Sequence, residues 1–123
     1  MNTRRMNGNT LELLEGDTVI ASLDEALVDG DMHIVVTGEI KNEVAHEFED
    51  ELMAAFSVCN VVKLDLSKVT YIASIALRAL LSVQQIIDEN EKAALIITNM
   101  SSEVKDIFEP LGFLDILAIE ERG

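Results

Sequence analysis

Apolar, β-branched segments alternate with helical patterns along this chain, and this alternation constrains its fold more than any other feature. Residues 60–66 and 93–98 are apolar enough to form central strands. A helical pattern runs between them from Ser74 to about Glu89, and residues 114–119 have the composition of a last short strand. Strands that are separated by helices pair in parallel through right-handed crossovers. The sequence therefore predicts an α/β fold in which helices flank a β-sheet.

The first part of the chain predicts antiparallel strands. Residues 11–22 look like two short extended pieces around a Gly-Asp pair. Asp29-Gly30-Asp31 lies between two apolar segments, which is a good hairpin signal because glycine tolerates a positive φ. Residues 1–9 are polar, and we expect them to be frayed. An antiparallel hairpin joined to parallel strands makes a mixed sheet.

Polar residues mark the starts of the first and third helices. Asn42 is a favoured N-cap residue, and apolar residues then recur every four positions. Ser101 or Ser102 is expected to cap the third helix, and Pro110 with Gly112 to end it. These signals predict helices before, between and after the two central strands.

The charge of the chain limits the partners that it can bind. Nine basic and 23 acidic residues give a formal net charge of −14. Phosphate backbones and anionic lipids repel such a surface, so neither nucleic acid nor a membrane surface is an expected partner. No apolar run approaches the roughly 18 residues that a membrane helix needs. We therefore expect a cytoplasmic protein without membrane insertion.

Few residues are candidates for catalysis or metal binding. Cys59 is the only cysteine, so it forms no internal disulfide and builds no thiolate metal site by itself. His33 and His46 are the only candidate bases, and no glycine-rich nucleophile elbow or phosphate-binding loop accompanies them. The acidic run at 47–51 fits no calcium loop. The sequence predicts no catalytic residue, no metal and no cofactor.

Ser74 lies where a predicted strand passes into a helix, and two interpretations of its hydroxyl are open. In the first, Ser74 only caps the helix, which contributes about 1 kcal/mol. In the second, Ser74 accepts a phosphoryl group that would face free backbone N–H groups and the positive end of the helix dipole. A phosphate would add about −1.5 to −2 charges at one point of the surface. The residues alone favour capping.

Three segments resemble the STAS domain, which bacterial anti-sigma factor antagonists share with the tails of sulfate transporters. Residues 61–72, followed by the helix that starts near Ser74, resemble the centre of that domain. Residues 36–40 are similar to the strand end that precedes its first helix, and residues 104–113 to its last helices. The similarity spans about residues 26–119 in the family's order. It implies a mixed β-sheet flanked by helices, the fold of anti-sigma factor antagonists.

The resemblance also implies a division of the chain. Residues 1–25 would be an N-terminal extension, residues 26–119 the STAS-like domain and residues 120–123 a tail. The extension is a candidate for pairing with a second copy of the chain, as a homodimer.

Family antagonists act by partner switching, and the resemblance implies the same role here. The unphosphorylated domain binds an anti-sigma factor that is also a serine kinase, phosphorylation of a serine releases it, and a phosphatase resets it. Ser74 aligns with that serine. Ser67 and Thr70 are weaker candidates for phosphorylation, because the presence of each can be explained by a role as a turn residue. The implied partner-binding residues surround this position: Glu39, Lys41, Ala73, Ser74, Ile75, Ala76 and Arg78.

The residues next to Ser74 depart from the family pattern. Ala73, Ile75 and Ala76 stand where the family commonly has an acidic residue, a second serine and a glycine, and Lys41 stands where Asp is frequent. These departures favour an alternative function, a STAS adaptor or scaffold subunit of a sensor or transport complex that never takes phosphate.

Overall fold

A computed structural model describes residues 4–112 and the backbone of residues 118 and 119. In this part of the chain, seven strands form one sheet in the order of the sequence, with three α-helices between them. The strands are β1 (Arg4–Asn7), β2 (Thr10–Glu15), β3 (Thr18–Val28), β4 (Asp31–Ile40), β5 (Val61–Ile72), β6 (Ala94–Met100) and β7 (Ala118–Ile119). The helices are α1 (Ala45–Phe56), α2 (Ser74–Ile87) and α3 (Ser102–Phe108), with 3₁₀ turns at Asn42–Val44 and Glu109–Leu111.

The sheet is mixed, as the sequence predicts. Strands β1 to β4 pair antiparallel, and β4 to β7 pair in parallel with one helix in each crossover. The predicted hairpin joins β3 to β4, because Asp29 (φ 54°) and Gly30 (φ 88°) both take the left-handed conformation. A two-residue loop of this kind matches the twist of its flanking strands.

The N-terminal residues are not frayed, so that prediction is wrong for residues 4–7. They form strand β1, which pairs along its whole length with β2. Arg5 Nε lies 2.8 Å from the Glu12 carboxylate on the neighbouring strand, and Arg4 reaches Glu51 of α1. Backbone pairing does not require apolar side chains, so these polar residues form a strand without an apolar pattern. Arg5 pairs with the residue opposite it on β2, whereas the partner of Arg4 lies 47 positions along the chain.

The start of the first helix also differs from its prediction. Asn42 is not an N-cap but the first residue of a 3₁₀ turn, for which Lys41 holds the cap position without a side-chain hydrogen bond. Helix α1 begins three residues later, at Ala45. Asn42 therefore lies within the turn that connects β4 to α1.

The core lies on one face of the sheet. The register aligns Leu11 of β2 with Leu23 of β3, and Leu23 with Val36 of β4, and all three side chains are fully buried. One cluster of buried side chains joins these strands to all three helices, through residues such as Phe48 of α1 and Phe108 of α3. The helices thus cover the face that carries the apolar half of each alternating strand.

The third helix confirms one of the two predicted caps. Ser101 is the N-cap residue, and its hydroxyl accepts a hydrogen bond of 3.2 Å from the Val104 amide. The following 3₁₀ turn contains Pro110 and ends at Gly112, whose φ is 71°. The predicted strand at 114–119 appears at 118–119, and its first residues lie outside the described part. No helix in the described ranges is long and apolar enough to cross a membrane.

Candidate functional site

Ser74 is exposed at the first position of helix α2. Strand β5 ends at Ile72, Ala73 is extended (φ −73°, ψ 155°), and the helix begins with the serine. The side chains of Ile72 and Ala73 are only 1% and 2% exposed, whereas Ser74 is exposed. The chain therefore passes from the core to the surface within one residue. This path presents the Ser74 hydroxyl to solvent at the start of a helix.

Ser74 does not cap the helix, so the capping interpretation is wrong. Ala73 occupies the N-cap position and has no side chain that can accept a hydrogen bond from the first turn. The first turn of α2 also contains no acidic residue. The positive end of this helix therefore lacks the side-chain partners that usually satisfy its free N–H groups.

Two strand ends are held together beside Ser74. The Ala73 amide donates a hydrogen bond of 2.8 Å to the Ile40 carbonyl oxygen, which continues the pairing of β4 with β5. Glu39 pairs in register with Tyr71, and Lys41 follows directly after β4. The segment before α1 and the start of α2 thus lie side by side, with Glu39 and Lys41 on the first segment and Ser74 on the second.

Charged groups of both signs border this surface. Lys41 Nζ lies 3.2 Å from Glu15 Oε2 and 3.6 Å from Glu39 Oε2. The hydrogen bond with Glu15, followed by the charge of Glu15, raises the pKa of Lys41. Arg78 is exposed one helical turn after Ser74 and so lies on the same side of α2. Each of the two segments that meet here therefore carries one cation, Lys41 after β4 and Arg78 on α2.

The surface also carries exposed apolar side chains. Ile75 is 51% exposed and Tyr71 is 46% exposed. Ala73 and Ala76, which the resemblance also implies for partner binding, are buried at 2% and 0% and belong to the core. The apolar side chains that are exposed around the serine are therefore the larger ones, Tyr71 and Ile75.

A groove between α1 and α2 adjoins the exposed Ile75. It has a volume of about 330 Å³. Its walls include Ala45, His46 and Glu49 from α1 and Ile75, Arg78 and Ala79 from α2. Sequence reasoning missed the α1 residues, because only the packing of α1 against α2 brings them to Ser74's helix. The groove extends the candidate surface from the serine onto α1.

His46 lines the groove beside Ile75, whereas His33 lies on β4 and Cys59 follows α1. His46 is exposed and lies 3.3 Å from Asp50 on its own helix, and His33 belongs to strand β4. The Cys59 thiol is partly buried and donates to the carbonyl oxygens of Ala55 and Val61. In the ranges that the structure describes, no three His, Cys, Asp or Glu residues group as metal ligands.

A family model described as "Mlab, STAS domain" matches residues 23–118 of this chain. No curated protein matches the chain by sequence. The family match begins within β3, so strands β1 and β2 lie outside it.

The fold is that of several solved anti-sigma factor antagonists. An antagonist from Mycobacterium paratuberculosis superposes with a TM-score of 0.69 at 17% identity, over 81% of this chain and 85% of that one. The unphosphorylated form of SpoIIAA gives a TM-score of 0.69 at 12% identity, over 82% of this chain and 88% of that one. The phosphorylated form of the Bacillus protein SpoIIAA gives 0.63 at 10% identity, over 82% and 91%.

Proposed function

The chain belongs to the STAS domain family, and we propose that it is a bacterial regulator of transcription that acts by partner switching, as anti-sigma factor antagonists do. In this proposal the unphosphorylated chain binds an anti-sigma factor that is also a serine kinase. Phosphorylation of Ser74 releases the complex, and a phosphatase restores the free hydroxyl. The chain acts in the cytoplasm and catalyses no reaction itself.

The exposure of Ser74 at the start of α2 carries this proposal. A kinase must enclose the hydroxyl that it phosphorylates, and this hydroxyl stands in solvent directly after two buried residues. Ile75 and Tyr71 beside it offer apolar contacts to a partner, and Arg78 and Lys41 offer charges. Phosphorylation would therefore change the centre of the surface that the partner contacts.

Electrostatics explain how the switch can act without unfolding the chain. A phosphoserine carries about −1.5 to −2 charges at neutral pH. At Ser74 this charge would lie at the positive end of α2, where no side chain caps the first turn, and within one turn of Arg78. The phosphate therefore leaves the folded chain stable, whereas it weakens the binding of a partner whose surface packs against the neutral serine.

The test uses the serine kinase of the same organism that binds the chain. The chain is incubated with this kinase and ATP, and the phosphate is mapped by mass spectrometry. Calorimetry then compares the affinity of the unmodified and phosphorylated chains. We expect phosphate at Ser74 and a loss of affinity of at least about a hundredfold, which corresponds to about 3 kcal/mol.

Three variants make the result specific. The Ser74→Ala variant should bind the kinase and remain bound in the presence of ATP. Ser67→Ala and Thr70→Ala should be released like the wild type, since these residues lie earlier on β5. Phosphate at Ser67 or Thr70 alone, or an affinity that phosphorylation leaves unchanged, would contradict the proposal.

A second candidate function is an adaptor that binds a partner of a sensor or transport complex and is never phosphorylated. Ile75 favours it, because an apolar side chain that is 51% exposed adjoins the groove between α1 and α2. For an adaptor, the Ser74→Ala and Ser74→Asp variants would both bind the partner like the wild type. For partner switching, the Ser74→Asp variant would lose affinity.

A further inference from the structure

Strand β1 is the outermost strand on one side of the sheet that the described residues form. It pairs with β2 over all four of its residues, and each of the four is exposed. The family match begins within β3, so this edge lies outside the matched domain. Exposed edge strands can pair with another strand, and proteins usually protect them with charge, proline or a bulge. Since β1 has no proline and no register shift, its two arginines are the protection that remains.

The two arginines of β1 are each paired with an acidic residue of their own chain. Arg4 Nη2 lies 3.0 Å from Glu51 Oε1, and Arg5 Nε lies 2.8 Å from Glu12 Oε1. Although the net charge of the chain is −14, these four charges cancel at the edge. A second copy of β1 can therefore approach this strand without the repulsion that two unpaired arginines would cause.

The turn between β1 and β2 decides which backbone groups of β1 face outward. Asn7 and Thr10 flank a two-residue turn whose first residue, a glycine, has a φ of 63°. In a hairpin of this kind the flanking residues form a hydrogen-bonded pair. Bonded and non-bonded pairs alternate along an antiparallel ladder. Arg5 therefore also bonds to β2, whereas Arg4 and Met6 direct their N–H and C=O groups away from it.

Met6 also carries an exposed apolar side chain on the face of the sheet that holds the core. The register aligns it with Leu11 and Leu23, which are fully buried, but Met6 itself is 53% exposed. A groove of about 400 Å³ opens beside it, and Leu27, which is 61% exposed, forms part of its wall. Covering Met6 would therefore add apolar burial to any backbone pairing at this edge.

We propose that β1 pairs antiparallel with β1 of a second copy, so that the two sheets join across a two-fold axis at Met6. An axis at Arg4 or Arg5 would place two arginines directly opposite each other, which is unfavourable. An axis at Met6 places methionine against methionine and Arg5 against Asn7 of the other copy, and the outward N–H and C=O groups of both methionines pair. Strands β2, β3 and β4 separate this edge from β5, so the dimer requires neither phosphate at Ser74 nor another partner.

Analytical ultracentrifugation of the full chain, at about 0.15 M salt to screen its net charge, tests the pairing. We expect a dimer with a dissociation constant of about 10 μM, since the contact is small. Met6→Pro removes an N–H that faces outward, where an edge strand tolerates proline, so the chain should fold while its dimer weakens by at least about tenfold. Met6→Leu keeps the N–H and an apolar side chain and should dimerise as the wild type does. A wild-type chain that stays monomeric up to about 100 μM overturns the proposal.

Disulfide trapping tests the position of the axis, with Cys59→Ser as the background. Met6→Cys should form a disulfide-linked dimer under mild oxidation, because directly opposite residues of a hydrogen-bonded pair have Cα atoms about 5.5 Å apart. Arg5→Cys is the matched control and should form none, because its Cα lies more than about 7 Å from its own copy. Cross-linking of Arg5→Cys as fast as Met6→Cys overturns the proposed axis, and no cross-link in either overturns the pairing. If Met6→Pro does not fold, the two cysteine variants decide alone.

Discussion

The amide of Ala73 donates a hydrogen bond of 2.8 Å to the carbonyl oxygen of Ile40. This bond extends the parallel pairing of β4 and β5, which aligns Ile40 with Ile72, by one residue into the cap of α2. The hydrogen bond therefore fixes the position of Ser74, the first residue of α2, relative to the end of β4, where Glu39 and Lys41 lie. Paired strand ends, and not a loop, thus lead into the candidate site.

Gly38 is needed where β4 passes β3 on its way to this site. Its φ is +100°, and a Cβ at this position would lie 2.3 Å from the Ile20 carbonyl oxygen. The Gly38→Ala variant should lose about 3 kcal/mol of unfolding free energy, since both the backbone conformation and the contact become unfavourable. Urea denaturation measures this loss.

Gly30 supplies the matched control for Gly38. It also has a positive φ, of 88°, but its Cβ would meet no atom within 4 Å. Gly30→Ala should therefore cost only the conformational part, about 1 kcal/mol. Equal losses for the two variants would show that the approach of Ile20 does not matter.

Two isoleucines of α2 allow partner binding to be separated from stability. Ile75 is 51% exposed beside Ser74, and Ile86 is 52% exposed near the other end of the helix. Ile75→Asp should weaken binding to the kinase partner by at least about tenfold, or 1.4 kcal/mol, whereas Ile86→Asp should bind as the wild type does. Titration calorimetry gives the affinities. If Ile86→Asp weakens binding equally, the partner does not centre on the start of α2.

Local patterns predicted those parts of the fold that local chemistry decides. The hairpin at Asp29 and Gly30 and the cap at Ser101 each depend on residues within four positions of one another, and both are confirmed. Strand β1 was missed although it pairs with β2 through a short turn at Gly8. Its four residues are all exposed and mostly polar, so they carry no alternating apolar pattern that would indicate a strand.

In the candidate site, too, local patterns predicted some features and missed those that depend on contacts between distant parts of the chain. The sequence placed Ser74 at the end of a strand and the start of a helix, because the apolar run and the helical pattern meet there. It did not show that Lys41 pairs with Glu15, which comes from strand β2. It also did not show that α1 supplies half of the groove, since the spacing of α1 and α2 is set by the packing of the core.

Ser101 joins the start of α3 to strand β5. Its hydroxyl donates a hydrogen bond of 2.6 Å to the Val69 carbonyl oxygen and accepts one from the Val104 amide. Ser101→Ala should lower the unfolding free energy by about 2 kcal/mol, because it removes the cap and leaves a carbonyl oxygen without this donor. The neighbouring Ser102 is exposed and its hydroxyl donates a hydrogen bond to the exposed Glu103, so Ser102→Ala should change stability by less than about 0.5 kcal/mol. Similar losses in thermal or urea unfolding would contradict the assignment of the cap.

Asp65 of β5 gives stability a dependence on acid pH. Burial alone would raise the pKa of its carboxyl group, but hydrogen bonds from Ser67 and Asn99 and the charge of Lys68 outweigh burial and lower it below 3.8. The Ser67 amide lies 2.8 Å from Asp65 Oδ1, and Asn99 Nδ2 lies 3.3 Å from Oδ2. Because the pKa is lower in the folded chain, the contribution of this carboxylate is complete above pH 3.8 and is lost as the pH falls through the folded value.

The Asp65→Asn variant should therefore lose about 1 kcal/mol of unfolding free energy at pH 7 and show a shallower decline than the wild type below pH 4. Urea denaturation at a series of pH values measures both effects. The exposed Asp17, in the turn between β2 and β3, provides the control, and Asp17→Asn should keep the wild-type slope. A decline in Asp65→Asn as steep as in the wild type would mean that the hydrogen bonds to Ser67 and Asn99 do not favour the ionised carboxylate, and that the acid sensitivity of the fold arises elsewhere.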